Sequence, residues 1–86
     1  MASYRVEVSA TAERQIRKLS RQDQIRVLRI IQGLESDPYP RGCRKLRGYG
    51  DVFRVRVGVH RILYSVEASR LLIIVLKVGQ RKDVYR

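Results

Sequence analysis

The 86-residue chain has no tryptophan, one cysteine and one histidine. A single Cys43 cannot close an internal disulfide, and with His60 as its only imidazole partner it cannot complete a structural zinc site. The first ten residues, MASYRVEVSA, hold no apolar segment of the kind a secretory signal needs. The longest apolar run, residues 71–76, is far too short to span a bilayer. These absences predict a cytoplasmic protein in a reducing compartment, with no metal, no cofactor and no membrane. Carboxylates are scarce as well: 8 Asp and Glu stand against 19 Lys and Arg, a formal net charge of +11. Lysine is itself sparse, since fifteen of the nineteen basic residues are arginine. So large an excess of one sign in so short a chain is self-repulsive and favours a polyanionic partner. Arginine, with its planar fork of donors, is the residue that meets phosphate in two places at once.

What is present is enough for one core. Hydrophobic residues make up 44% of the chain, too many for a disordered tail. Residues 1–86 read as a single domain, small enough to bury only about 60–65% of its unfolded surface.

Residues 4–8 alternate apolar and polar and predict a first strand. Ser9 predicts a helix N-cap, with Glu13 early in the helix and Ala12, Ile16 and Leu19 on one face. Ser20 predicts a second cap, with Asp23 in the capping-box position. Ile25, Leu28, Ile31 and Leu34 then follow at helical spacing, with Val27 and Ile30 beside them. Asp37 before Pro38 ends the second helix, because a residue preceding proline avoids the helical region. Arg14, Arg17, Lys18, Arg21, Arg26 and Arg29 fall mostly on the wet sides. Residues 38–42 read as a loop, 44–47 as a short extended piece and 48–51 as a turn. Strands follow over 52–57, 59–66 and 71–78, while 79–86 is polar and predicts no element of its own. The order β-α-α-β-β-β-β predicts an α+β fold, a helical hairpin packed on a mostly antiparallel sheet.

Gly58-Val59 fits a glycine-first two-residue turn. That register sets Val57 against His60, Val55 against Ile62 and Phe53 against Tyr64 on the packed side. On the other side it sets Arg56 against Arg61, with Arg54 two residues away opposite Leu63. Like charges facing each other across strands are destabilising. With no carboxylate interleaved, and with Arg41, Arg44, Lys45 and Arg47 just upstream, this face reads as an anion-binding surface. His60 points at the packed side and reads as structural. Cys43 has no activating constellation and reads as inert. Gly48 and Gly50 mark a turn without the strand-to-helix context of a nucleotide loop. Tyr64 reads as core and Tyr85 as exposed, free to stack on a base.

Four blocks then carry a resemblance. They are Arg44-Lys45-Leu46-Arg47-Gly48, the stretch from Val52 to Gly58, Arg61-Ile62-Leu63-Tyr64, and the stretch from Val78 to Tyr85. In this order and at these intervals they resemble the RelE branch of the RelE/ParE toxin superfamily, as does the upstream helical pair. The resemblance implies a small sheet cradling two helices. It also implies the toxin of a type II toxin–antitoxin module, a metal-independent endoribonuclease that cuts messenger RNA in the ribosomal A site. The partners it implies are an acidic RelB-like antitoxin, the ribosome and mRNA. Arg61 and Arg81 match arginines of the family's active site, and Tyr85 matches its C-terminal tyrosine. Arg54 and Arg56 stand where well-studied members have lysines, so charge is kept but proton transfer there is lost. Catalysis is thus expected at Arg54, Arg56, Arg61, Arg81 and Tyr85, with RNA binding at Arg44, Lys45, Arg47 and Lys82. Two alternatives accompany this reading: a gyrase-poisoning ParE-like toxin, and an inactive homologue that binds only RNA or antitoxin.

Overall fold

A computed structural model describes residues 3–80 of the chain. The elements are β1 (Arg5–Val8), α1 (Ala10–Arg17), α2 (Arg21–Gly33), β2 (Arg44–Lys45), β3 (Val52–Val57), β4 (His60–Glu67) and β5 (Leu72–Gln80). The strands form one sheet in the order β1-β5-β4-β3-β2. β1 runs parallel to β5 and every other neighbouring pair is antiparallel.

Both predicted caps form. The Ser9 hydroxyl accepts from the Ala12 N–H at 3.0 Å and donates to the Leu76 carbonyl at 2.9 Å, so one side chain starts α1 and ties it to β5. The Gln15 side-chain carbonyl accepts from the Val78 N–H at 2.7 Å and fixes the same helix farther along that strand. Ser20 accepts from the Asp23 N–H at 3.2 Å and starts α2. The Asp23 carboxylate crosses to the sheet, where its Oδ2 lies 3.1 Å from Nε2 of His60. His60 is 8% exposed and its Nδ1 has no hydrogen-bond partner among the described residues, a histidine on the packed side as the register required.

The helices cover one face of the sheet. Ala12, Ile16, Val27, Ile31 and Leu34 meet Val55, Val57, Ile62, Tyr64, Val66, Ile73, Val75 and Val78 in one core. The face of α2 differs from the sequence expectation: Ile31 and Leu34 are buried, but Ile25 is 48% and Leu28 44% exposed. Steps of three residues each fall about 60° short of a full helical turn, so a row of four such positions creeps halfway round the helix. Val27, Ile31 and Leu34, spaced four then three, stay on one line.

The hairpin register is as expected. Gly58 sits at φ 61°, and Val57 pairs with His60, Val55 with Ile62 and Phe53 with Tyr64. Several strand boundaries move by one or two residues. β4 begins at His60 because Val59 belongs to the turn, and β5 runs on to Gln80 because Gly79 and Gln80 pair with Arg61 and His60. Between β4 and β5 the register shifts by one residue: Leu63 pairs with Lys77 but Tyr64 pairs with Val75, leaving Leu76 as an extra residue in a bulge. No helix among the described residues is long and apolar enough to cross a membrane.

Candidate nucleic-acid interface

Alternation on β3 and β4 places Arg54, Arg56, Arg61 and Leu63 on the face away from the helices. Register then aligns them into rows. One row crosses four strands as Arg44, Arg54, Leu63 and Lys77. The next runs Arg56, Arg61 and Gly79. A two-residue turn makes Val57–His60 a hydrogen-bonded pair and Arg56–Arg61 the closer kind, with Cβ atoms about 4.5–5.5 Å apart. Lys77 is diagonal to Arg61, at roughly 7–8 Å. Arg54, Arg56, Arg61 and Lys77 therefore ring Leu63. That leucine is only 7% exposed although it lies outside the core cluster, flanked across the strands by the long side chains of Arg54 and Lys77.

Lys77 is the residue that sequence reasoning missed. Strict alternation along β5 would put it on the same face as Val75, in the core. The bulge at Leu76 reverses the alternation, returning Val78 to the core and turning Lys77 to the arginines. The sequence signal for this was weak: a charged residue at what alternation made an inward position.

The other expected residues divide. Arg44 joins the arginine rows through its pairing with Arg54. Lys45 pairs with Phe53, so it belongs to the opposite face, and its Nζ lies 3.8 Å from Asp51. Arg47 is exposed in the following loop and, with Lys45, Leu46, Gly48 and Gly50, lines a shallow hollow of about 370 Å³. Arg81, Lys82 and Tyr85 lie outside the described residues. Arg41, Arg44, Arg47 and Arg54 form no ion pair with any carboxylate among the described residues. The helix arginines Arg14, Arg17, Arg21, Arg26 and Arg29 are all exposed.

The aromatics are mostly spent on structure. Tyr39 meets Phe53 edge-on with ring centroids 5.0 Å apart, and Phe53 stacks on Tyr64 at 6.0 Å. Tyr64 is fully buried, its hydroxyl donates to the Pro38 carbonyl at 2.9 Å, and burial together with the adjacent Cys43 pushes its ionisation well above the ordinary phenol range. Among the described residues no three His, Cys, Asp or Glu side chains gather as metal ligands would. Such a surface can bind polyanions and stabilise charge developing on a phosphate.

Comparison with known proteins finds relatives along nearly the whole chain. Residues 6–85 match the family described as the ParE toxin of the type II toxin–antitoxin system parDE. The chain is 30% identical to the toxin RelG of Mycobacterium tuberculosis over 84 residues, covering 96% of this chain and 97% of that protein. Among solved structures, the archaeal RelE–RelB complex from Pyrococcus horikoshii superposes with a TM-score of 0.83 at 31% identity, covering 95% of this chain and 99% of that one. The RelBE2 toxin–antitoxin complex of Mycobacterium tuberculosis gives a TM-score of 0.80 at 27% identity, over 92% of this chain and 99% of that one.

Proposed function

The chain belongs to the ParE toxin family of type II toxin–antitoxin systems, as a RelE-type toxin, and from that premise we propose that it is a ribosome-dependent endoribonuclease that cuts messenger RNA in the A site. The observation that carries this reading is the gathering of Arg54, Arg56, Arg61 and Lys77 on the sheet face away from the helices.

In the proposed reaction the ribose 2′-oxygen attacks the adjacent phosphorus in line and the P–O5′ bond breaks. The 2′-hydroxyl proton passes to a base and the 5′-oxygen takes up a proton on leaving. The products are a 2′,3′-cyclic phosphate and a 5′-hydroxyl. Charge grows on the non-bridging oxygens, and Arg56 and Arg61 are the described donors set to meet it. Loss of one such donor costs on the order of 3 kcal/mol in the barrier. The arginine fork keeps its protons, so none of these guanidiniums is the base. Tyr85 is the proposed base, or else it stacks on the nucleobase and orients the sugar, and Arg81 is the proposed donor to the leaving oxygen. A cationic cluster of this kind carries the phosphate charge without a metal. With no strong base on the described face, the isolated protein is a poor nuclease and the ribosome supplies the alignment. The protein's excess of positive charge suits an acidic antitoxin, and the solved RelE–RelB complexes of its relatives support a partner of that kind.

Inducing the protein in bacteria and mapping transcript 5′ ends tests the reading. Cuts confined to translated codons are expected, and the Arg61→Ala, Arg81→Ala double variant abolishes them while circular dichroism is unchanged. Gyrase-dependent DNA breaks with intact transcripts would instead establish the ParE-like activity that the family description names. Neither lesion, with antitoxin binding retained, would mark a toxin that has lost its chemistry along with the lysines at 54 and 56.

A further inference from the structure

β2 is two residues long and β3 is six. Their pairing ends at Arg44–Arg54, so beyond that point β3 continues without β2 beside it. The chain entering β2 bends away at Gly42, whose φ of 88° lies in the left-handed region that favours glycine. The bend opens a hollow of about 300 Å³ against the outer edge of β3, lined by Arg41, Gly42, Arg44, Arg54, Val55 and Arg56. Four of the six lining residues are arginines, and none is a carboxylate or an aromatic ring. The volume is at the small end for ligand sites, enough for one phosphate and its sugar.

We propose that this hollow is a second phosphate subsite, holding the RNA backbone phosphate next to the scissile linkage. The inference rests on the RNA-cleaving reading and adds a grip to it. Arg54 and Arg56 border both the hollow and the sheet face, so a strand lying across β3 passes directly from one to the other. Arg44 extends the same row at the rim, while Arg41 belongs to the hollow side alone, which makes it a binding residue with no part in bond breaking. One or two charges on an exposed strand edge serve to discourage edge-to-edge pairing. Four arginines around one concavity go beyond that need, and they form the donor array that a phosphodiester fills. The contact is to backbone, so it carries no sequence preference.

The test uses the full chain and a short single-stranded RNA made uncleavable by 2′-O-methylation. Affinity is measured against salt for the wild type, Arg41→Ala, Arg41→Lys and, as a control on the exposed helix surface, Arg14→Ala. Arg41→Ala is expected to bind several-fold more weakly, equally for unrelated sequences, with the slope of log K against log salt reduced by about 0.7. Arg41→Lys keeps the slope, and Arg14→Ala matches the wild type. In ribosomal cleavage Arg41→Ala raises KM and leaves kcat unchanged. Wild-type affinity, slope and KM in Arg41→Ala would overturn the subsite even if transcripts are cut. A wild-type protein that cuts no transcript, beside an Arg41→Ala variant with a reduced slope, would overturn the cleavage reading and leave the subsite standing.

Discussion

Arg56 of β3 stands directly opposite Arg61 of β4, one pair in from the Gly58-Val59 turn. Like charges directly opposite are the less favourable cross-strand pairing, and two guanidiniums at this range can both reach one anion. Replacing one member should therefore separate stability from function. Arg56→Glu puts an opposite charge across from Arg61 and is expected to stabilise the free protein by roughly 0.2–1 kcal/mol, read as a higher urea midpoint. RNA affinity should fall in the same variant. A lower midpoint would show that the Arg56–Arg61 pairing is not a cost to the fold.

Lys77 reaches this face through the bulge at Leu76. If it contributes charge to RNA binding, Lys77→Ala lowers affinity for single-stranded RNA and reduces the salt slope by about 0.7. Lys77→Arg restores both. Unchanged binding in Lys77→Ala would show that the lysine stands outside the RNA path.

The two sides of α2 make a second contrast. Ile31→Ala removes a buried side chain and is expected to cost about 2–5 kcal/mol. Ile25→Ser and Leu28→Ser, on the exposed side, should each stay within about 0.5 kcal/mol of the wild type. Chemical denaturation of the three variants decides between this packing and the one suggested by spacing alone.

Buried Tyr64 gives the fold an alkaline limit. Its ionisation in the folded protein is raised above the ordinary 10.0, mainly by burial. Below about pH 10 the phenol is neutral in both states and its contribution is fully present. As pH rises past 10, the unfolded chain ionises and the folded one cannot, so stability falls. Urea unfolding followed from neutral pH to about pH 11 should show the decline, and Tyr64→Phe should remove that part of it. The same variant loses the bond to the Pro38 carbonyl, a cost of about 0.5–1.5 kcal/mol that is present at every pH.

Much of the fold was legible because it is written in local chemistry. Ser9 and Ser20 announce two helix starts through their short polar side chains. Gly58, able to take a positive φ, fixes the hairpin turn, and the turn fixes every pair from Val52–Ser65 to Val57–His60. The facing of Arg56 and Arg61 follows from that counting alone, because side chains alternate strictly on regular strands.

Other features depend on which surfaces meet. Which side of α2 is buried was settled by contact with β3 and α1, since spacing in threes and spacing in threes and fours look alike over so few turns. The bulge at Leu76 was hidden because an extra residue in a strand leaves no mark in composition, and it alone decides that Lys77 leaves the core side. The arginine hollow needs β2 to be shorter than β3, a mismatch between segments some ten residues apart. The sequence by itself determined the charge, the turns and the order of the elements, all set by neighbours along the chain. Only the tertiary structure decided how Arg41, Arg44, Arg54 and Arg56 share one concavity, because that depends on where pairing between strands stops.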